Sequence, residues 1–178
     1  GKTNLSELAG AVSRTAGVSA VGGRTVNPYG EAFSPAGSSS GSGVAVAAGL
    51  SVVSVGTETS GSLIAPAAFN GVVGMKPSRG IVSGQGIVPL VRFQDSAGPM
   101  ARSVADAAVL LATIATGPLA TELLPDALRG VRVGVLRADI LAQKSPFEDT
   151  TDNPAMLARI DAGLAAAGAV SADVSLAV

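Results

Sequence analysis

The runs Pro35-Ala36-Gly37-Ser38-Ser39-Ser40-Gly41-Ser42-Gly43 and Gly56-Thr57-Glu58-Thr59-Ser60-Gly61-Ser62-Leu63-Ile64 decide how this chain is read. Each is a serine- and glycine-rich loop that leads into residues with helical character. Between them, Ser42 to Ala48 reads as a helix of small residues stopped by Gly49, and Leu50 to Val55 alternates apolar residues with serine as a strand does.

The first loop admits three readings. By composition alone a Gly/Ser run is a flexible linker. Successive backbone N–H groups ahead of a helix also form a nest for an anion, but a phosphate loop ends in Gly-Lys-Ser/Thr and here Val44 follows Gly43. Gly37-Ser38-Ser39-Ser40-Gly41 further fits the G-x-S-x-G nucleophile elbow centred on Ser39, which requires a preceding strand. The residues before it, Asn27-Pro28-Tyr29-Gly30 and Ser34-Pro35, are turn chemistry. The second loop precedes a helix expected over Ser62 to Phe69, with Ser62 in its first turn, where backbone N–H groups have no intrahelical partner. Donors converging there would stabilise a developing oxyanion. The plainer reading of Ser62 is a serine at a helix N-terminus.

Composition narrows the chemistry. Of 178 residues, 47% are hydrophobic, 14% charged and 3% aromatic, with 12 Lys+Arg against 13 Asp+Glu. The charged fraction lies well below the ~25% of ordinary globular chains, which argues against disorder and for a segment from the inside of something larger. Balanced charge gives no sign of a nucleic-acid partner. The longest apolar run is ~14 residues against the ~18 that a membrane helix needs, so no membrane span is expected. There is no Cys and no His. Thiol catalysis, disulfides, zinc sites built from those ligands and an internal Ser–His pair are therefore excluded. A base would be a carboxylate, a lysine, of which the chain offers Lys2, Lys76 and Lys144, or a histidine outside the chain.

Elsewhere the periodicity predicts a helix over Asn4 to Val12, a turn-rich stretch from Gly17 to Gly43, a buried strand over Val72 to Met75 and a helix over Ser103 to Ala115. Ser103-x-x-Asp106 resembles a capping box at the start of the last of these. Gly117 to Gly130 reads as a linker, followed by a strand over Val131 to Leu136, an amphipathic helix over Ala155 to Gly168 and strand-like alternation from Ala169 to Val178. Strands alternating with helices predict an α/β layer architecture. Both ends read as cut, with no initiator Met or signal peptide at the start and no cap at the close.

Together the two loops resemble the amidase signature family. Gly37 to Ser42 resembles its Gly-Gly-Ser-Ser-Gly-Gly/Ser core, and Gly56 to Ser62 its Gly-Thr/Ser-Asp/Glu-x-Gly-Gly-Ser segment. The spacing of 62 − 38 = 24 agrees. So do Gly1-Lys2-Thr3-Asn4, Asn70-Gly71-Val72-Val73-Gly74-Met75-Lys76-Pro77-Ser78 and Asp95-Ser96-Ala97-Gly98-Pro99-Met100. The resemblance implies a mixed twisted β-sheet covered by helices on both faces and a serine–serine–lysine triad. Ser62 matches the nucleophile, and Ser38, after a cis peptide bond from Gly37, the bridging serine. Thr59, Ser60 and Gly61 match the oxyanion-hole backbone, with Ser39 beside them as a substrate-binding candidate. A lysine can serve as base without histidine, because desolvation lowers its pKa until it sits neutral and takes a proton relayed through a hydroxyl.

Ala36 replaces the family's first loop glycine, and Ser60 its usual Gly or Asp. The family's catalytic lysine lies many tens of residues upstream of the bridging serine, whereas only 38 − 1 = 37 residues precede Ser38 here. None of the three lysines matches it. The expectation is an amide hydrolase fragment, inactive alone, acting on a small amide or peptide amide, with no cofactor and no metal. Residues 1–116 would be the core, 117–130 a linker and 131–178 the start of a further α/β portion. The motifs look more like general or peptide amidases than like the A subunit of a glutamine-dependent aminoacyl-tRNA amidotransferase. That amidotransferase role, and a scaffold without chemistry, stay as alternatives. A homodimer is left open, and the cytoplasm is the expected compartment.

Overall fold

A computed structural model describes residues 1–7, 16–142 and 152–175. It divides into two compact units, Gly1–Thr121 and Glu122–Val178. The architecture is mixed α/β, helices with several sheets, as expected from the sequence.

The first unit opens with a short hairpin, β1 (Val18–Ser19) and β2 (Gly23–Arg24), inside the stretch read as turns. Residues 4–7 are not helical, and the rest of the helix expected over Asn4 to Val12 lies outside the described residues. The Asn4 side chain instead gathers the hairpin, its amide donating to Gly17 O, Gly23 O and Thr25 Oγ1 at 3.0–3.1 Å. Asn27, which is buried, donates to Ser34 O and Phe69 O at 2.9 Å and accepts from Tyr29 N. Side-chain amides thus supply the partners that an irregular stretch cannot find in a ladder.

Helix α1 (Ser40–Ala47) grows directly out of the first loop, which excludes the linker reading. It packs on β3 (Val53–Glu58), whose end extends past the strand read at 50–55. Then come α2 (Ile64–Phe69), β4 (Val73–Gly74), β5 (Ser96–Ala101) and α3 (Val104–Ile114). Asp106 N donates to Ser103 Oγ, which donates to Asp106 Oδ2, so Ser103 caps α3 where the sequence places its start, the second bond running between side chains. The sheet runs β3-β5-β4, antiparallel throughout, with Glu58 opposite Ser96 and Val53 opposite Ala101.

The central strand, β5, has no counterpart among the expected elements because Ser-Ala-Gly-Pro-Met-Ala lacks the β-branched residues that mark strands. All six residues are buried. Here packing overrides propensity: a Cβ on Gly98 would lie 2.0 Å from Met75 O, so only glycine lets β4 and β5 approach this closely. The core cluster is Leu63, Ala67 and Met100, with Val72 packed against it.

In the second unit β6 (Arg132–Val135) pairs in parallel with β7 (Val170–Asp173), joined through α4 (Arg137–Ala142) and α5 (Asn153–Ala166). Arg137 grips Asp161 with two bonds of 2.9 and 3.0 Å and Asp173 with a third of 2.9 Å, tying α5 and β7 to the start of α4. The Arg137 hydrogen bonds hold the Asp161 carboxyl below its ordinary range.

Candidate active site

The first serine loop is clamped between chain segments. Main-chain bonds tie it to the N-terminal segment: Ser6 N donates to Ser38 O at 3.0 Å and Gly41 N to Asn4 O at 3.1 Å. Side chains stitch it to β3. Ser39 Oγ donates to Thr57 O and accepts from Thr57 N, both at 3.0 Å, and Ser42 Oγ donates to Val55 O at 2.9 Å. Turn-forming residues precede Ser39, so no strand delivers it as an elbow requires. The Gly37–Ser38 peptide bond is cis, as the resemblance implies.

The second loop leaves β3 at Glu58 and turns through residues 59–62. Glu58 is buried, and its Oε2 accepts from Leu63 N and Ile64 N at 2.9 Å each. That carboxylate sets where the helix begins. Leu63 is the cap residue and Ile64 the first helical one, so Ser62 lies just ahead of the helix and not in its first turn as the periodicity suggested. Because Leu63 is fully buried in the core cluster, Ser62 is fixed beside a rigid anchor. No hydrogen bond from the amides of residues 59–62 to a main-chain carbonyl is seen among the described turn and loop contacts, which leaves them as candidate donors.

The loops meet at the backbone, Ser39 N donating to Ser62 O at 2.9 Å. Among the described residues no hydrogen bond joins the Ser38 and Ser62 hydroxyls; the contact is carried by main chain and by Ser39. Both serines line one cavity of about 870 Å³. Of the six sequence candidates, Ser38, Thr59 and Ser62 line it, while Ser39, Ser60 and Gly61 do not. Lys2 Nζ donates to Thr3 O and Lys76 Nζ to Gln94 O at 3.4 Å, so neither bond reaches Ser38; Lys144 lies outside the described residues.

Two acidic residues of the site are not among the sequence candidates. Glu58 stands within its motif, and its signal is an acid close ahead of a helix start. Asp95, within a motif of its own, accepts from Thr59 Oγ1 at 2.5 Å, Leu90 N at 2.8 Å and Val91 N at 2.9 and 3.1 Å. The Thr59 hydroxyl is the main reason the Asp95 carboxyl sits below its ordinary range, helped by the two amides and by the Lys76 charge against an opposing desolvation effect. Residues between Arg79 and Arg92 form the facing wall of the cavity. Its base is tethered by Thr116 N donating to Ile81 O at 2.8 Å.

A family model for amidases matches residues 1–177. The chain therefore belongs to the amidase signature family. It is 47% identical to the peptide amidase of Stenotrophomonas maltophilia, with a TM-score of 0.84 over 99% of this chain and 38% of that one. An amidase family protein of Bacillus anthracis is 37% identical, with a TM-score of 0.82 over 99% of this chain and 37% of that one. The A subunit of the glutamyl-tRNA(Gln) amidotransferase of Deinococcus radiodurans is 43% identical over 99% of this chain and 37% of its own length. The chain thus spans well under half the length of the relatives it matches. Among the described residues no helix is long and apolar enough to cross a membrane.

Proposed function

We propose that these residues carry the nucleophile and oxyanion donors of an amide hydrolase whose substrate is a small amide or peptide amide. One observation carries the reading: Ser38 and Ser62 line a common cavity at the turn whose amides, residues 59–62, are left over once Glu58 has capped Leu63 and Ile64. Ser62 Oγ attacks the amide carbonyl while its proton passes through the Ser38 hydroxyl to a lysine supplied from outside residues 1–178. The tetrahedral oxyanion rests on the turn amides. The C–N bond then breaks, the amine leaves with the relayed proton, and water hydrolyses the Ser62 ester to carboxylate. In this reading residues 1–116 form the core, 117–130 a linker and 131–178 the start of a further α/β portion. Similarity to a peptide amidase favours a peptide-amide substrate over free glutamine.

The test is hydrolysis of an aryl amide by residues 1–178, by the complete reading frame, and by that frame carrying Ser62→Ala. Activity is expected only in the unaltered complete frame, since general-base proton transfer alone contributes ~10²–10⁴ in rate. Turnover by residues 1–178 that vanishes in their own Ser62→Ala variant would show that the base lies within them. The 43% identity to an amidotransferase component supports a second reading, ammonia release from glutamine for a second protein. Glutaminase activity that appears only with a copurifying second protein would favour it.

A further inference from the structure

The proposed oxyanion turn is short, and its ends are held by different acids. At its C-terminal end Glu58 Oε2 binds Leu63 N and Ile64 N. At its N-terminal end Thr59 is the first residue after β3, and its hydroxyl donates to Asp95 Oδ1. Asp95 directly precedes β5, whose Ser96 sits opposite Glu58 in the sheet, so the carboxylate is carried on the strand neighbouring the turn. The same carboxylate receives Leu90 N and Val91 N from the cavity-wall segment that leads into it. Thr59, Leu90 and Asp95 all line the cavity.

We propose that Asp95 is a positioning residue, clamping the first residue of the oxyanion turn and the cavity wall at residues 90–91 to one carboxylate. The inference rests on the hydrolase reading above and adds to it a residue to which that reading gives no role. Preorganised donors help only if they do not move as charge develops. Between Glu58 and Thr59 the turn is fixed at both ends. Removing the Thr59 hydroxyl frees one end while leaving Ser62, Ser38 and the Glu58 cap untouched. The Thr59 hydrogen bond therefore acts on the turn, and its loss lowers kcat more than it raises KM. Loss of the carboxylate also releases residues 90–91, so it affects KM as well.

The test uses the complete reading frame with Thr59→Val, Thr59→Ser, Asp95→Asn and Ser62→Ala, measuring kcat, KM and melting temperature on an aryl amide. Thr59→Val keeps the side-chain shape, so it is expected to melt with the parent while kcat drops about 10- to 100-fold, the range that loosened donors and ångström-scale misplacement produce. Thr59→Ser, which keeps the hydroxyl, recovers most of that loss. In Asp95→Asn both kcat and KM change. An unchanged kcat in Thr59→Val, or no recovery in Thr59→Ser, overturns the clamp. Should Asp95→Asn fail to fold, the threonine pair still decides. Ser62→Ala hydrolysing like the parent would sink the hydrolase reading instead, so the two failures are distinguishable.

Discussion

From residue 35 to residue 43 every residue of the first serine loop is buried except Ser38, which is half-buried on the cavity wall. In the second loop, residues 59–62 are all half-buried or exposed, and burial resumes only at Leu63. The difference in burial follows a difference in what holds each loop. In the first, main chain and the Ser39 and Ser42 hydroxyls bond to β3 and to the Asn4 segment, while the buried Ser40 hydroxyl has no partner among the described residues. In the second, two carboxylates grip the ends and the backbone between them keeps its donors. In the proposed reaction the first loop is a frame with one working hydroxyl, the second a working surface with two fixed ends.

The sharpest way to break that distinction lies within the frame, at adjacent serines. Ser38→Ala in the complete reading frame is expected to fold normally and lose about 10²–10⁴ in kcat, the value of relayed proton transfer. Ser39→Ala is expected to behave the other way. It deprives Thr57 N and Thr57 O of their partner, costing about 1–3 kcal/mol of stability with a smaller loss of rate. Denaturant midpoints beside kcat on an aryl amide check both. If Ser39→Ala costs rate without stability, the frame reaches further into the chemistry than its burial suggests.

Close approach gives the next contrast. A Cβ on Gly41 would lie 2.4 Å from Asn4 N and 2.6 Å from Asn4 O, both backbone atoms that cannot swing aside. Gly41→Ala is therefore expected to cost about 1–3 kcal/mol, as overpacking does, and to break the Gly41–Asn4 hydrogen bond. Glu58→Ala tests the grip on the other loop. It removes the acceptor from two amides, and because Leu63 is fully buried its freed N–H is left without a partner, so a loss of about 1–3 kcal/mol is expected. The melting temperatures of both variants, with kcat for the second, decide whether the surface loop depends on its acid as the frame depends on its glycine.

These contacts explain what could be read in advance. The small-residue helix behind the first serine loop and the helix cap at Ser103 are local patterns, carried by the residues that form them, and they were legible. The strand Ser96–Ala101 was not, because its residues are chosen for close packing against Leu63 and Met75 and carry no strand propensity of their own. The start of α2 is displaced from its expected place for a related reason. Ser62 looks like a helix-initiating serine, but Glu58 already caps the following residues, a fact settled by where a carboxylate can reach. Asp95 is legible only in part: its bonds to Leu90 N and Val91 N close a local turn, but its bond to Thr59 spans 36 residues and depends on the β3–β5 pairing.

The smallest expected effects come from exchanging residues between the loops' two left-handed positions. Ala36, fully buried, has φ +54°, a conformation that costs an alanine about 1–2 kcal/mol relative to glycine. Ala36→Gly removes that strain. It also gives up a buried methyl worth about 0.8 kcal/mol and adds about 0.4–1 kcal/mol of backbone freedom to the unfolded chain. The terms nearly cancel, and the midpoint of unfolding is expected to stay within about 0.5–1 kcal/mol of the parent. Gly61 has φ +79° and a Cβ there would meet nothing within 4 Å. Gly61→Ala thus takes on the strain with no burial in return, offset only by the lost freedom of the unfolded chain, and is expected to cost up to about 1 kcal/mol. Paired denaturation curves with equal slopes read the difference directly. A gain well beyond ~1 kcal/mol in Ala36→Gly would mean that strain outweighs packing in the first loop, and the contrast between a packed frame and an open surface would fail at its best-buried residue.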